Sequence, residues 1–369
     1  MNTTALPLLD VKVLDLSRVL AGPLCTMMLG DLGADVIKVE RPGLGDDTRQ
    51  WGPPFDARGE SAYFLSTNRN KRSLAADLDD AADRALILSL MGQADVVVEN
   101  FLPGALQRRG LDAASMLALN ERLIWCTIRG YPNEPERPGY DFAVQAESGW
   151  MSVTGDPDGV PVRTAVALVD VLTGKDAAIS ILAALVGSRQ RPAAERHLRV
   201  TLSGSAAAAL VNVAQNVLVT GRDAARWGNS HANLVPYQVF QTADRPLVIA
   251  VGNDSQWRAL CTAMDEPSRL SSAPWATNAG RVTDRADCVA TVQAQLLRHG
   301  ADVWRARLDA VGVPVGRIRT VLEALRETAA SPLTGVPSSV GGVVRRPPPL
   351  LGEHSHEIRA SGWEGNTTS

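Results

Sequence analysis

"VKVLDLSRVLAGPLCTMMLGDLGADVIKVE", residues Val11–Glu40, decides the fold. Its first six residues, "VKVLDL", alternate in polarity as a strand does. "AGPLCTMMLGDLG" then reads as a helix opened by Gly22-Pro23, since the N–H that proline lacks has no partner in a first helical turn anyway. "ADVIKVE" is a second strand. Strand, helix and strand within about thirty residues make a βαβ unit with a parallel pair.

The same theme recurs downstream. "RSLAADL" and "ADVVVEN" read as strands flanking the amphipathic "DDAADRALILSLMGQ", and "RLIWCTIRG" is a further strand after the helical "DAASMLALNE". This alternation predicts an α/β fold, a Rossmann-like open sheet. Past it, "LTGKDAAISILAALVGSRQ" is a long helix, and "LRVTLSGSAAAALVNVAQNVLVTG" a short strand with a second long helix. Near Gly221 the composition shifts to loops, short strands and three helical patterns. The reading is a large discontinuous α/β domain, residues 1–205 and 311–369, and a smaller α+β domain over 225–310.

The 369 residues are 45% hydrophobic and 21% charged, which suits an ordinary folded protein. A net charge of −3 provides no global field for nucleic acid. The four cysteines form no CxxC pair, so zinc and redox motifs find no support. No apolar run reaches the ~20 residues of a membrane helix, and the N-terminus lacks a signal-peptide pattern. A cytoplasmic protein that uses neither membrane nor nucleic acid is expected.

There is no GxxxxGK[ST] or GxSxG motif. "GLGDDT" (Gly43 to Thr48) begins like a dinucleotide fingerprint but lacks its third glycine, which argues against NAD. His354 and His356 have metal-pair spacing, yet nothing nearby completes a ligand set, and a solvated loop is the alternative. His231, in "GNSHANLVPY", is read as a loop hydrogen bonder rather than a base. Basic residues collect where strands end: Lys38, Arg41 and Arg49, then Arg69, Lys71 and Arg72, then Arg108 and Arg109 beside Pro103-Gly104, and Arg129. Such a cluster suits a phosphate-bearing ligand or a solvated charged face.

The other feature is Asp170, in "ALVDVLTG", one carboxylate in an apolar run. A helix N-cap is one reading, with Thr173 and Asp176 as rival caps. A nucleophilic or general-base carboxylate at a helix entry is the other.

Taken in order, these blocks resemble the family III CoA-transferases, which include formyl-CoA:oxalate and carnitine CoA-transferases and share their fold with α-methylacyl-CoA racemases. The resemblance runs from "VLDLSRVLAGPLCTMMLGDLGADVIKVERPGLGDDTR" through "NRNKRSLAADL", "ADVVVENFLPGAL", "PGYDFAVQAESG" and "ALVDVLTGKDAAISILAAL" to "PPPLLGEH". It implies that Asp170 is the nucleophile that relays CoA from an acyl-CoA to a carboxylic acid. It implies coenzyme A as substrate, with Arg41, Lys71, Arg72, Arg108 and Arg129 as binding candidates, no metal or NAD, and an interlocked homodimer.

Three departures bear on the activity. Leu20 stands where the formyl/oxalate enzymes carry glutamine, and "GNSHANLVPY", with His231, replaces their glycine-rich loop. Tyr140 stands where racemases carry a histidine, with Asp141 beside it. A phenol with an ordinary pKa near 10 is a poor base at neutral pH, which favours transfer over racemisation. The segments after Gly130 and Thr328 are shorter than the family's.

Overall fold

The computed structural model describes residues 6–187, 192–266, 270, 273–327, 336 and 340–365. The segment just after Thr328 lies outside them. The chain divides into two units. The larger comprises Met1–Met151, Arg163–Ala224 and Ala330–Ser369; the smaller comprises Ser152–Val162 and Ala225–Ala329.

The larger unit is built on the predicted parallel sheet. Its strands are β1 (Lys12–Asp15), β2 (Asp35–Glu40), β3 (Lys71–Ala75), β4 (Val96–Glu99), β5 (Ile124–Arg129) and β6 (His197–Thr201). They lie in the order β3-β2-β1-β4-β5-β6, and every pairing is parallel. The two-residue period of each strand sends alternate side chains to opposite cores. Val13, Val36, Val96 and Cys126 pack under the helices Ala21–Asp31 and Leu168–Val186. Leu14, Ile37, Val97 and Trp125 pack under Ala81–Gln93 and Ala113–Leu119. Apolar side chains on both faces explain why these strands read as near-continuous hydrophobic runs.

The helices Ala21–Asp31 and Leu168–Val186 approach closely at Gly174. A Cβ there would lie 2.7 Å from the Ala21 carbonyl oxygen, so the contact requires glycine. The second long helix expected after β6 is instead two, Leu202–Ala208 and Val211–Thr220, bent by 72°. Val211 adopts φ +41° at the break, and no glycine or proline in the sequence announces it.

The proline-rich tail covers the edge strand β3. The Asn70 N–H donates to the Arg346 carbonyl, Gly352 N–H to Ser73 Oγ, and the Arg49 guanidinium to the Pro349 carbonyl. His354 takes part through its ring, whose Nδ1 accepts the Ser73 N–H at 3.3 Å. The described residues contain no cluster of metal-ligating side chains.

The smaller unit holds an antiparallel sheet, β7 (Tyr237–Phe240), β8 (Leu247–Ala250) and β9 (Val315–Arg317). Trp257, Leu260, Val292 and Trp304 form its core. The expected boundary at residue 310 falls short because β9 pairs with β8, which keeps the chain in this unit to Ala329. Among the described residues no single helix is long and apolar enough to cross a membrane.

The Gly174 contact yields a paired test by urea denaturation. Gly174→Ala should cost roughly 1–3 kcal/mol, because backbone must move to admit the methyl group. At Gly92 a Cβ meets nothing within 4 Å, so Gly92→Ala should leave stability unchanged or raise it by up to about 1 kcal/mol. Equal losses at both positions would refute the close-packing argument.

Candidate active site

In a sheet of this order the chain reverses its direction of winding between β1 and β4, and a crevice opens beyond their carboxyl ends. The segment after β1 enters this crevice. Asn100, just after β4, clamps it, accepting the Arg18 N–H at 3.0 Å and donating to the Arg18 carbonyl at 2.9 Å. A cavity of about 220 Å³ lies here, walled by Arg18, Val19, Leu20 and Ala21, by Tyr140, and by Asp170.

Asp170 stands in the first turn of the Leu168–Val186 helix rather than at its cap. Its carboxylate receives no hydrogen bond from any described side chain or N–H. The capping is done by Asp141, from another helix. Asp141 Oδ1 accepts the Val169 N–H at 2.8 Å and the Asp170 N–H at 3.3 Å. Gln145 steadies that carboxylate, donating to Asp141 Oδ2 at 2.6 Å while its own oxygen accepts the Thr164 N–H at 2.9 Å. The rival caps are interior: Thr173 bonds the Val169 carbonyl, and Asp176 accepts from Ser205.

Two carboxylates at one helix entry shape the electrostatics. Burial, and then the Asp141 charge, push Asp170 up from 3.8 to about 7. The same region raises Tyr63 to about 12, through burial and then the charge of Asp170. Tyr63 stacks edge-on against Trp51 with centroids 5.0 Å apart. Beyond the helix entry, the Leu20 and Ala21 N–H groups have no acceptor among the described residues. A desolvated carboxylate beside unspent backbone donors can attack a carbonyl and stabilise the oxyanion that forms.

A family model described as CoA-transferase family III matches residues 8–355. The chain belongs to CoA-transferase family III.

As a family III enzyme it transfers CoA between an acyl-CoA and a carboxylic acid. It is 40% identical to the succinyl-CoA:glutarate CoA-transferase of Mus musculus, over 95% of this chain and 85% of that protein. It is 38% identical to the succinate–glutarate CoA-transferase of Agrobacterium fabrum, over 96% and 95% of the two chains. The crystal structure of a CAIB/BAIF family protein from Brucella suis matches with TM-score 0.81 at 38% identity, covering 96% of this chain and 98% of that one.

Within this family III fold the basic candidates separate. Arg41 is exposed and reaches only Asp47, at 3.3 Å. Arg108 is exposed, with no ion pair among the described residues. Arg129 is half-buried at the end of β5, held by Glu99 at 3.1 Å. Lys71 and Arg72 do not face the crevice. Lys71 Nζ is buried and bonds Asp15 Oδ2, the Pro23 carbonyl and Asn68 Oδ1, each at 2.9 Å. Arg72 is buried between Asp35 at 2.6 Å and Glu357 at 2.9 Å. The Ala21–Asp31 helix meets Lys71 and the C-terminal tail meets Arg72, so these cations knit the fold together. In the smaller unit, His231 is a loop hydrogen bonder, its Nδ1 accepting the Asn233 N–H at 3.0 Å.

Tyr63, Asn100 and Gln145 escaped the sequence reading. Tyr63 lies in a four-residue helix with no periodicity to mark it. The other two act through partners distant in sequence.

The raised pKa of Asp170 has a consequence for stability. The folded state retains a proton that the unfolded chain releases near pH 3.8, so the enzyme loses stability as pH climbs from about 4 to about 7. Asp170→Asn escapes this loss. Its stability advantage should open across that window and level off above it, at roughly 1–3 kcal/mol after allowing for solvent screening. A difference independent of pH would show an ordinary carboxyl. Asp141→Ala, which deletes the cap, should cost about 1–2 kcal/mol in the same assay.

Proposed function

We propose that Asp170 is the nucleophile of the CoA transfer. The observation that carries this is a partly buried carboxylate with no hydrogen bond among the described residues, in the wall of the cavity at the sheet's switch point. Its carboxylate attacks the donor thioester carbonyl, expels CoA thiolate and leaves an aspartyl–acyl anhydride. The thiolate then attacks the Asp170 carbonyl carbon, which gives an aspartyl-CoA thioester and frees the donor acid. The acceptor carboxylate displaces CoA from Asp170, forming a second anhydride. Thiolate attack on the acceptor's carbonyl completes the new thioester and restores Asp170. Both partners are carboxylates, so the enzyme's own carboxylate relays the acyl bond at nearly constant energy.

The Leu20 and Ala21 N–H groups, at the N-terminus of the Ala21–Asp31 helix, are suited to receive each tetrahedral oxyanion. Arg41 and Arg108, exposed beyond the strand ends, are the groups left to meet the CoA phosphates, with Arg129 nearer the reacting centre. The names of the relatives make succinyl-CoA and glutarate the first pair to assay.

The interlocked homodimer belongs to the same proposal. It is supported by the apolar Val211–Thr220 helix, where Val211, Leu218 and Val219 are 69%, 77% and 74% exposed. A cytoplasmic location suits cysteines that are all free and buried.

Incubation with succinyl-CoA followed by hydroxylamine or borohydride should leave a derivative on Asp170, and Asp170→Asn should lose at least ~10³-fold in kcat. An unmodified Asp170 together with an active Asp170→Ala enzyme would end the proposal. The nucleophile is the anion, so kcat/KM for the donor should rise about tenfold per pH unit and flatten near pH 7. In Asp141→Asn the break should move to lower pH. A profile flat from pH 5 to 8 would show that ionisation of Asp170 does not limit the reaction.

A further inference from the structure

The "GLGDDT" segment, which fails as a dinucleotide fingerprint, forms a buried staple under the reaction cavity. Gly43 and Gly45 take φ +75° and +69° and turn the chain so that Asp46 points inward. Its partner is Lys38 at 2.9 Å, and both side chains are fully buried. Lys38 Nζ also donates to the Ser17 carbonyl at 2.8 Å. Asp46 Oδ1 accepts from Thr48, at 3.0 Å from N–H and 2.8 Å from Oγ1. The Asp46 N–H donates to Glu40 Oε2 at 3.1 Å. Burial alone would raise Asp46, but the Lys38 charge and the Thr48 N–H outweigh it and keep the carboxyl below its ordinary value.

The remaining contact points at the chemistry. Both Asp46 carboxylate oxygens lie 3.2 Å from the Val19 nitrogen and accept its N–H. Val19 has φ +71°, the left-handed region that a β-branched residue avoids. Strain of this kind persists only where the surroundings hold it in place. Lys38 holds the chain on one side of Val19 through Ser17, and Asp46 holds Val19 itself. The next two residues, Leu20 and Ala21, line the Asp170 cavity with N–H groups free.

We infer that Asp46 is a positioning residue for the transfer, fixing Val19 so that the Leu20 and Ala21 N–H groups face the carbonyl that Asp170 attacks. The inference rests on the reaction proposed above. Asp46 touches no substrate; it acts through Val19. Without the carboxylate, Val19 relaxes toward negative φ and swings both donors away from the developing oxyanion. Ground-state binding of CoA, which uses groups elsewhere along the crevice, is left intact.

The test uses the full-length enzyme with succinyl-CoA and glutarate. Asp46→Asn should lower kcat at least 100-fold while KM for succinyl-CoA stays within about threefold. Glycine adopts φ +71° without strain, so adding Val19→Gly in that background should restore kcat by tenfold or more. Thr48→Val leaves the buried ion pair in place and serves if Asp46→Asn does not fold. It should lower kcat three- to tenfold, Thr48→Ser should not, and Val19 amide exchange should quicken at least tenfold. Unchanged kcat in folded Asp46→Asn and Thr48→Val, or a fall in kcat matched by a rise in KM, would overturn the inference. A wild-type enzyme that transfers no CoA with any acid would refute the proposed reaction instead. The amide-exchange comparison would still decide whether the staple holds Val19, and equal exchange in Thr48→Val and wild type would refute that too.

Discussion

Two carboxylates meet at the start of the Leu168–Val186 helix, Asp170 in its first turn and Asp141 reaching in from another helix, and the site depends on their different duties. Asp141 reaches across from its own helix and spends an oxygen on the Val169 and Asp170 N–H groups. That bond ends the helix where the sequence would otherwise leave its donors bare. It also releases Asp170 from capping and sets a negative charge beside it, which adds to burial in raising that carboxyl to about 7. One interaction therefore ends a helix, orients a side chain and tunes its charge. Gln145 and Thr164 brace the arrangement from behind.

The rest of the crevice repeats this economy with charges that never meet solvent. The pairs Lys71–Asp15 and Lys38–Asp46 lie completely buried beside the carboxyl end of β1. Buried ion pairs add little net stability, because desolvation consumes much of their attraction. Their value here is geometric. They hold the Ser17 carbonyl and the Ser17 and Val19 N–H groups, and so fix the segment that leads into the Ala21–Asp31 helix. Opposite them, Gly174 lets the Leu168–Val186 helix lie directly against the helix that this segment begins.

Much of this was legible in the sequence. Short apolar runs between amphipathic stretches marked the strands, and the Gly-Pro pair marked the first helix, because those signals act within a few residues. Asp170 stood out as an anion in an apolar run, and the order of surrounding blocks pointed to the family. What misled was action at a distance. Asp170 looked like a cap because the true cap, Asp141, lies 29 residues earlier. Lys71 and Arg72 looked like ligand-binding cations because their partners are distant in sequence: Asp15 lies 56 residues from Lys71 and Glu357 lies 285 from Arg72. The break before Val211 carries no glycine or proline to betray it.

The central claim is that the acyl bond passes through the Asp170 carboxylate, and an isotope reads that passage directly. A single turnover with an acceptor acid labelled with ¹⁸O in both carboxylate oxygens should leave one ¹⁸O in the Asp170 side chain, because the second anhydride's bridging oxygen departs with the enzyme. Mass spectrometry of the peptide containing Asp170 would then show a gain of about 2 Da. An unlabelled Asp170 after turnover, with both ¹⁸O atoms confined to acids and acyl-CoA, would contradict the account.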